Sequence, residues 1–346
     1  MAAQRKHPYS NLPERNLWPK AVRDRHFADL EDLWEPFELS RSEKVATAGS
    51  CFAQHLGRNL KERGANYLDM EPAPDFLGDE DEARKWGFGV FSCRYGNIYT
   101  VRQLCQLFEE AFHDRKPADP VWEKNGRYFD ALRANVDPLG WPNAETVMAL
   151  RERHISKVRE MFSSLDLFVF TLGLTEGWED TVDGTIYPTA PGVVAGEYDA
   201  ERYRFRNFKY PDILDDLQKF WEMLRGVNSG ARMLLTVSPV PLMATASAEH
   251  VLVATSYSKS TLRAAAGDFC ERAEGVYYFP SYEIIVSPQA RGMAFDPDQR
   301  SVNQFGVNMV MKHFFSGRIG AEFSSDPTPV GDFNLICDED LLSGTC

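Results

Sequence analysis

The sequence predicts an α/β protein, a three-layer α/β/α sandwich around a mostly parallel, doubly wound sheet. Short runs apolar on both faces recur along the chain: KVATAG at 44–49, SLDLFVFTLG at 164–173, ARMLLTVSPV at 231–240 and GVYYFPSYE at 275–283. Strands read this way when helices cover both faces of a parallel sheet. The first two runs end in glycine, as a strand does where it turns sharply. Helical segments alternate with the runs, the pattern of βαβ units.

Taken in order, residues 1–43 combine Trp, Pro and charge, as in NLPERNLW and EDLWEPFELS, and are expected to form an arm that packs aromatic side chains on the core. After the first strand, CFAQHLGRNLKERG sets Phe52, Leu56 and Leu60 on one face and stops at Gly64, as a helix does. Further helices are expected over 100–114, 144–164, 211–227 and 258–273. The turn-rich, aromatic stretches 115–143 and 178–210 read as insertions at the loop edge of the sheet. The expected division is an arm (1–43), one elaborated α/β domain (44–320) and a tail (321–346).

Composition narrows the partners. Of 346 residues, 43% are apolar and 26% charged, the balance of a globular protein. Lys and Arg number 38 against 51 Asp and Glu, a formal net charge of −13 that argues against nucleic acid and anionic membrane surfaces. The opening MAAQRKHPYSNLPERNLWPK lacks the apolar core of a secretory signal, and no run reaches the ~20 residues that span a bilayer, so a cytoplasmic location and no membrane span are expected. Six cysteines (Cys51, Cys93, Cys105, Cys270, Cys337, Cys346) include no CxxC pair, so free thiols are expected, with neither a disulfide framework nor a metal site.

In doubly wound sheets reacting groups gather where strands end. The strand ends here deliver Gly49-Ser50-Cys51, Gly173-Leu174-Thr175-Glu176, Ser238-Pro239-Val240 and Tyr282-Glu283. A thiol in the turn before a helix lies near N–H groups of positive dipole character, which favour its thiolate, whereas a serine there needs a separate base. Cys51 is thus a candidate nucleophile. The plainer reading is a small buried Cys51 beside a helix-capping Ser50.

ATAGSCFAQH resembles the signature of the GSCFA family, a branch of the SGNH (GDSL-like) hydrolases. The likeness continues through YGNIYTVRQL, TLGLTEGW, TVSPVPLMAT, YSKSTLRA, YYFPSYE and RSVNQFGVNMVMKHFF. It implies a flavodoxin-like SGNH sheet and acyl-transfer chemistry. Superposed on the SGNH blocks, Cys51 takes the nucleophile slot, and Gly96, with Asn97 beside it, resembles the glycine that helps form the oxyanion hole. Thr175 stands where that pattern has an oxyanion-binding Asn, a departure that replaces an amide by a hydroxyl. In the last block Asp298 matches the acid, but Ser301 stands where the general-base His belongs. A cysteine nucleophile suffers less from that loss than a serine, so the two departures are mutually consistent.

His250 in the loop after the 231–240 strand is the preferred replacement base, over His55 at i+4 from Cys51. His7, His26, His113, His154 and His313 read as solvent-exposed. Glu176 and Glu283 are alternative acid–base groups, with a structural role favoured for Glu283. Lys259 and Arg263 at i+4 are placed either to meet an anionic substrate group, with Ser238 lining the same rim, or to form a solvated helix face. Arg300 beside Asp298 reads as a local ion pair. These readings converge on an esterase, thioesterase or O-acyltransferase with Cys51 as nucleophile. It would need no cofactor beyond acyl-CoA as co-substrate and would act on a small-molecule or carbohydrate substrate, with the insertions as lid or acceptor pocket. Its competitors are an inactive SGNH-fold binding protein and a redox-sensing thiol resolved by Cys93. The oligomeric state is left open.

Overall fold

The computed structural model describes residues 7–26, 29–30, 32–316, 319, 323, 336 and 338–343. Cys337 and Cys346, expected as free thiols, the first six residues and most of the 321–346 tail lie outside them.

Five strands form the central sheet: β1 (Lys44–Gly49), β2 (Asn66–Tyr67), β5 (Leu167–Leu172), β9 (Arg232–Val237) and β10 (Val276–Tyr278). Their order is β10-β9-β5-β1-β2, and all four pairings are parallel. The expected α/β sandwich is therefore the fold. Alternation along the strands sorts the core: Phe168, Phe170, Met233 and Leu235 enter one apolar cluster, Val45, Val169 and Leu234 the other. Helices α3 (Val101–Phe112), α4 (Ala144–Ser164), α5 (Tyr210–Val227) and α6 (Val251–Arg272) supply the first face. Helices α1 (Ala53–Glu62), α7 (Ser281–Val286) and α8 (Gln304–Phe314) supply the second. Trp34 and Phe37 pack there as well; the Trp34 ring lies edge-on to Phe279 and its Nε1 donates to the His313 carbonyl at 2.8 Å.

Two boundaries differ from the sequence reading. The run 275–283 is strand only to Tyr278: Phe279 makes the last main-chain bond, to Leu235, and Pro280 has no N–H to continue the ladder. The chain then enters α7. Helix α6 starts a full turn and more before residue 258, because His250 caps it, its Nδ1 accepting from the Leu252 N–H at 3.2 Å.

Both insertions carry strands. The first holds a hairpin, β3 (Val121–Lys124) and β4 (Arg127–Asp130), turned by Asn125-Gly126 with both φ angles positive. The second holds an antiparallel sheet of order β7-β6-β8, from β6 (Glu176–Asp180), β7 (Ile186–Tyr187) and β8 (Tyr203–Asn207). Among the described residues no helix is long and apolar enough to cross a membrane.

Candidate active site

The turn after β1 is set by two close approaches. Gly49 has φ +132°, and a Cβ there would collide with the Thr171 carbonyl of β5, so a side chain is excluded on both counts. Gly173, at the end of β5, lies so near the turn that a Cβ on it would sit 3.0 Å from the Ser50 Cβ. Ser50 and Cys51 are thereby wedged between the ends of β1 and β5, both buried. The N–H groups of Ala53, Gln54 and His55 donate to the carbonyls of Ser50, Cys51 and Phe52 at 2.9, 3.1 and 3.2 Å. These N–H groups at the start of α1 are thus matched within the turn.

Ser50 and Cys51 line a small cavity of about 10 Å³ with Ser238, Lys259 and Glu339. The Ser50 Oγ is buried there with no hydrogen-bond partner among the described residues. Cys51 also belongs to the apolar cluster containing Phe52 and Val240. Lys259 is 2% exposed and its Nζ donates to the Gly173 carbonyl at 2.6 Å. The solvated helix face expected for Lys259 is corrected, because α6 turns this residue inward over the end of β5. One turn on, Arg263 pairs with Glu283 at 2.5 Å over the Tyr278 ring, and Tyr278 Oη donates to the same carboxylate at 2.8 Å, so Glu283 holds structure.

Several other candidates fall outside this cavity. His250 is exposed and caps α6, so it is not brought to Cys51. Thr175 is buried, but its hydroxyl donates to Asn207 Oδ1 at 2.8 Å and it lines neither cavity, so the structure does not offer it to an oxyanion. Asp298 accepts from the Ser301 hydroxyl at 2.6 Å and from the Arg300 N–H at 2.9 Å. Partial burial raises its pKa, and these bonds outweigh that and lower it, but Asp298 does not reach the cavity. Gly96 and Asn97 line a neighbouring cavity of about 20 Å³ with Gln54 and Ile336. His55 faces away from the cavity; burial, with Arg58 and Arg84 nearby, takes its pKa down to about 3. His154 and His313 are buried rather than exposed, His154 bonded through Nδ1 to Glu71 at 2.7 Å. Cys93 lies in the cluster on the opposite face of the sheet from Cys51, its sulfur 3.7 Å from that of Met161, which removes the resolving partner a redox thiol needs.

Glu176 lines a roomier cavity of about 190 Å³ with Trp178 and Phe205 from the inserted sheet. Burial raises its pKa despite bonds from the Thr245 hydroxyl and the Ala246 N–H. This cavity shares Leu174, Leu242 and Glu339 with the one around Cys51. A cavity of about 850 Å³ beside Phe76, Trp86 and Trp141 contains none of the candidates.

The sequence reading missed the roles of three residues near the site. Arg300 makes no side-chain ion pair with Asp298; its Nε donates to the Pro241 carbonyl at 3.2 Å and its Nη2 to Glu339 at 3.0 Å. Glu339 is the second residue of the described C-terminal 3₁₀ helix, Asp338–Ser343, and lines the rim cavity. Gln54 grips the main chain leading into it, donating to the Ile336 carbonyl at 2.7 Å and accepting from its N–H at 3.1 Å. Only the run of acids in CDED hints at a segment that seeks cations.

A family model described as the GSCFA family matches residues 44–314. The chain belongs to the GSCFA family. The GSCFA span begins with β1 and ends with α8, so it holds the whole sheet together with Ser50, Cys51, Ser238, Lys259 and Arg300. Glu339 lies beyond the GSCFA match. No curated protein matches this chain.

Proposed function

We propose that this GSCFA protein is an acyl-transfer enzyme in which Cys51 takes an acyl group from a thioester such as acyl-CoA and passes it to a carbohydrate hydroxyl or to water. The observation that carries the reading is that Cys51 and the buried ammonium of Lys259 line one cavity at the strand ends. A cation beside a thiol favours the thiolate without an imidazole to take the proton. The Cys51 sulfur forms a bond to the thioester carbonyl carbon as the bond from that carbon to the CoA sulfur breaks. CoA leaves as a thiolate, so this step needs no general acid, and a thioester donor suits a site whose expected histidine is Ser301.

The second half returns Cys51 to its starting state. An acceptor hydroxyl attacks the acyl-Cys51 carbonyl, its proton passes to the Glu176 carboxylate, and the Cys51 thiolate leaves. Burial raises the Glu176 pKa, which makes it a better base than an exposed carboxylate. The Ser50 hydroxyl, buried without a partner among the described residues, is a donor for the charge that develops on the carbonyl oxygen. Trp178 and Phe205, in the cavity that holds Glu176, offer aromatic faces of the kind that stack on sugar rings.

Intact-mass spectrometry after incubation with a panel of acyl-CoAs and activated esters tests this. The expected result is an acyl adduct on the native chain that is absent from Cys51→Ala. No adduct from any donor overturns the reading. That outcome, with a sugar still bound in the 190 Å³ cavity, favours the second reading, an inactive binding protein. Its support is that no histidine lines the Cys51 cavity among the described residues.

A further inference from the structure

We infer that Lys259 and Arg300 form a binding site for a carboxylate group of the molecule this protein takes, and that Glu339 fills that site from within the chain. The inference rests on the acyl-transfer reading only in calling that molecule a substrate.

Two cations buried at one rim are costly unless an anion meets them. Lys259 is almost fully buried, and the Arg300 side chain is 13% exposed. Each is fixed by a main-chain carbonyl at a strand end, Lys259 by Gly173 after β5 and Arg300 by Pro241 after β9. Neither anchor involves Glu339, so the pair keeps its position when the carboxylate leaves. The Glu339 carboxylate accepts from Arg300 at 3.0 Å and lies within the field of Lys259.

The segment that delivers Glu339 is tied to the rim by several polar contacts, and its Ile336 is partly buried against the core cluster. Gln54 and Asn97 bond the Ile336 peptide group, the Tyr99 hydroxyl accepts from the Asp338 N–H at 3.1 Å, and Asn135 donates to the Asp338 carboxylate. Leu341 and Leu342 of its 3₁₀ helix are 38% and 46% exposed, so they bury little that would anchor it. Glu339 also walls both the Cys51 cavity and the 190 Å³ cavity. A carboxylate that takes its place would join thiol, cations and aromatic walls into one site. The group already seated there is a carboxylate, and only about 10 Å³ is left beside it, which leaves less room for a bulkier tetrahedral phosphate.

The test uses full-length protein carrying Cys51→Ala, so that no acyl chemistry contributes. Glutarate, which reproduces the Glu339 side chain as a free dianion, is titrated by calorimetry, with inorganic phosphate as the second arm. Adding Glu339→Ala is expected to tighten glutarate binding about tenfold or more, because the internal competitor is gone. Further Lys259→Met or Arg300→Met should abolish the gain, and phosphate should bind more weakly than glutarate. No gain from Glu339→Ala, or a preference for phosphate, overturns the inference. Should Glu339→Ala fail to fold, the Cys51→Ala chain alone decides by hydrogen exchange. The Ile336 and Asp338 amides are expected to exchange several-fold faster as glutarate displaces the segment; rates that ignore glutarate sink the inference. A missing acyl adduct and a missing carboxylate site are thus separate failures.

Discussion

Two clusters of buried charge lie in this molecule, and they are built differently. Between β4 and the helices α3 and α4, Asp130 meets Arg133 at 2.7 Å and Arg151 at 2.8 Å, and Arg151 meets Glu110 at 2.5 Å. Burial raises the Asp130 pKa, but the two guanidiniums outweigh it and bring the value down to about 2. Glu110 comes from α3 and Arg151 from α4, Asp130 and Arg133 come from the inserted hairpin region, and the ions join the two. At the strand ends, by contrast, Lys259 and Arg300 each donate to a main-chain carbonyl, the Ser50 hydroxyl has no partner among the described residues, and a carboxylate that meets Arg300 arrives from Glu339 near the other end of the chain. A cluster whose charges close among neighbours holds structure. One that needs a distant segment to complete it has the make-up of a binding site.

Substitution separates the two most sharply. Asp130→Ala takes the carboxylate from buried Arg133 and leaves Arg151 with Glu110 alone, and is expected to cost about 3–5 kcal/mol in urea denaturation. Lys259→Met, which keeps the length of the side chain and leaves Arg300 facing Glu339, is expected to cost about 1 kcal/mol while slowing alkylation of Cys51 by iodoacetamide about tenfold. Equal losses of stability would erase the distinction.

Acid sharpens the contrast next. Burial, with Arg133 nearby, takes the His154 pKa from its ordinary 6.5 down to about 4, so at neutral pH the uncharged ring donates from Nδ1 to Glu71. A group whose folded pKa is lowered contributes stability that is complete above the unfolded value of 6.5 and is lost as pH falls towards 4. Between pH 7 and pH 5 that loss is about 2 kcal/mol for His154, and His55, lowered to about 3, loses a similar amount. Urea unfolding at the two pH values should show it, and His154→Gln should remove one share.

The smallest effect expected is at His250. Asn caps helices at least as well, so His250→Asn should leave stability within about 0.5 kcal/mol and the acyl adduct unchanged. A large loss of adduct would return His250 to the chemistry.

The sheet was legible because its strands are buried on both faces. Leu167–Leu172 is a continuous apolar run with one reading, and Gly49 and Gly173 mark where β1 and β5 end. The inserted strands were missed although Asn125-Gly126 is a hairpin signal, because the surrounding aromatics alternate over only a few residues. Ser50, Cys51 and Ser238 were named from sequence because each sits next to a strand end, and Lys259 because Arg263 stands at i+4 from it on a helix. Glu339 was not named, and Arg300 was read only as a partner of Asp298, since the meeting of the two depends on where loops cross, and no local pattern records that. Thr175 shows the converse: a residue in the right block, whose hydroxyl tertiary packing has turned towards Asn207.

Gln54 and Ile336 are 282 positions apart. At roughly 5–20 residues per second, a ribosome takes on the order of a quarter of a minute to a minute to travel between them. During that interval the nascent chain already carries its thiol, while the acidic stopper over it has not been synthesised, so every newborn copy begins life uncorked and is sealed late.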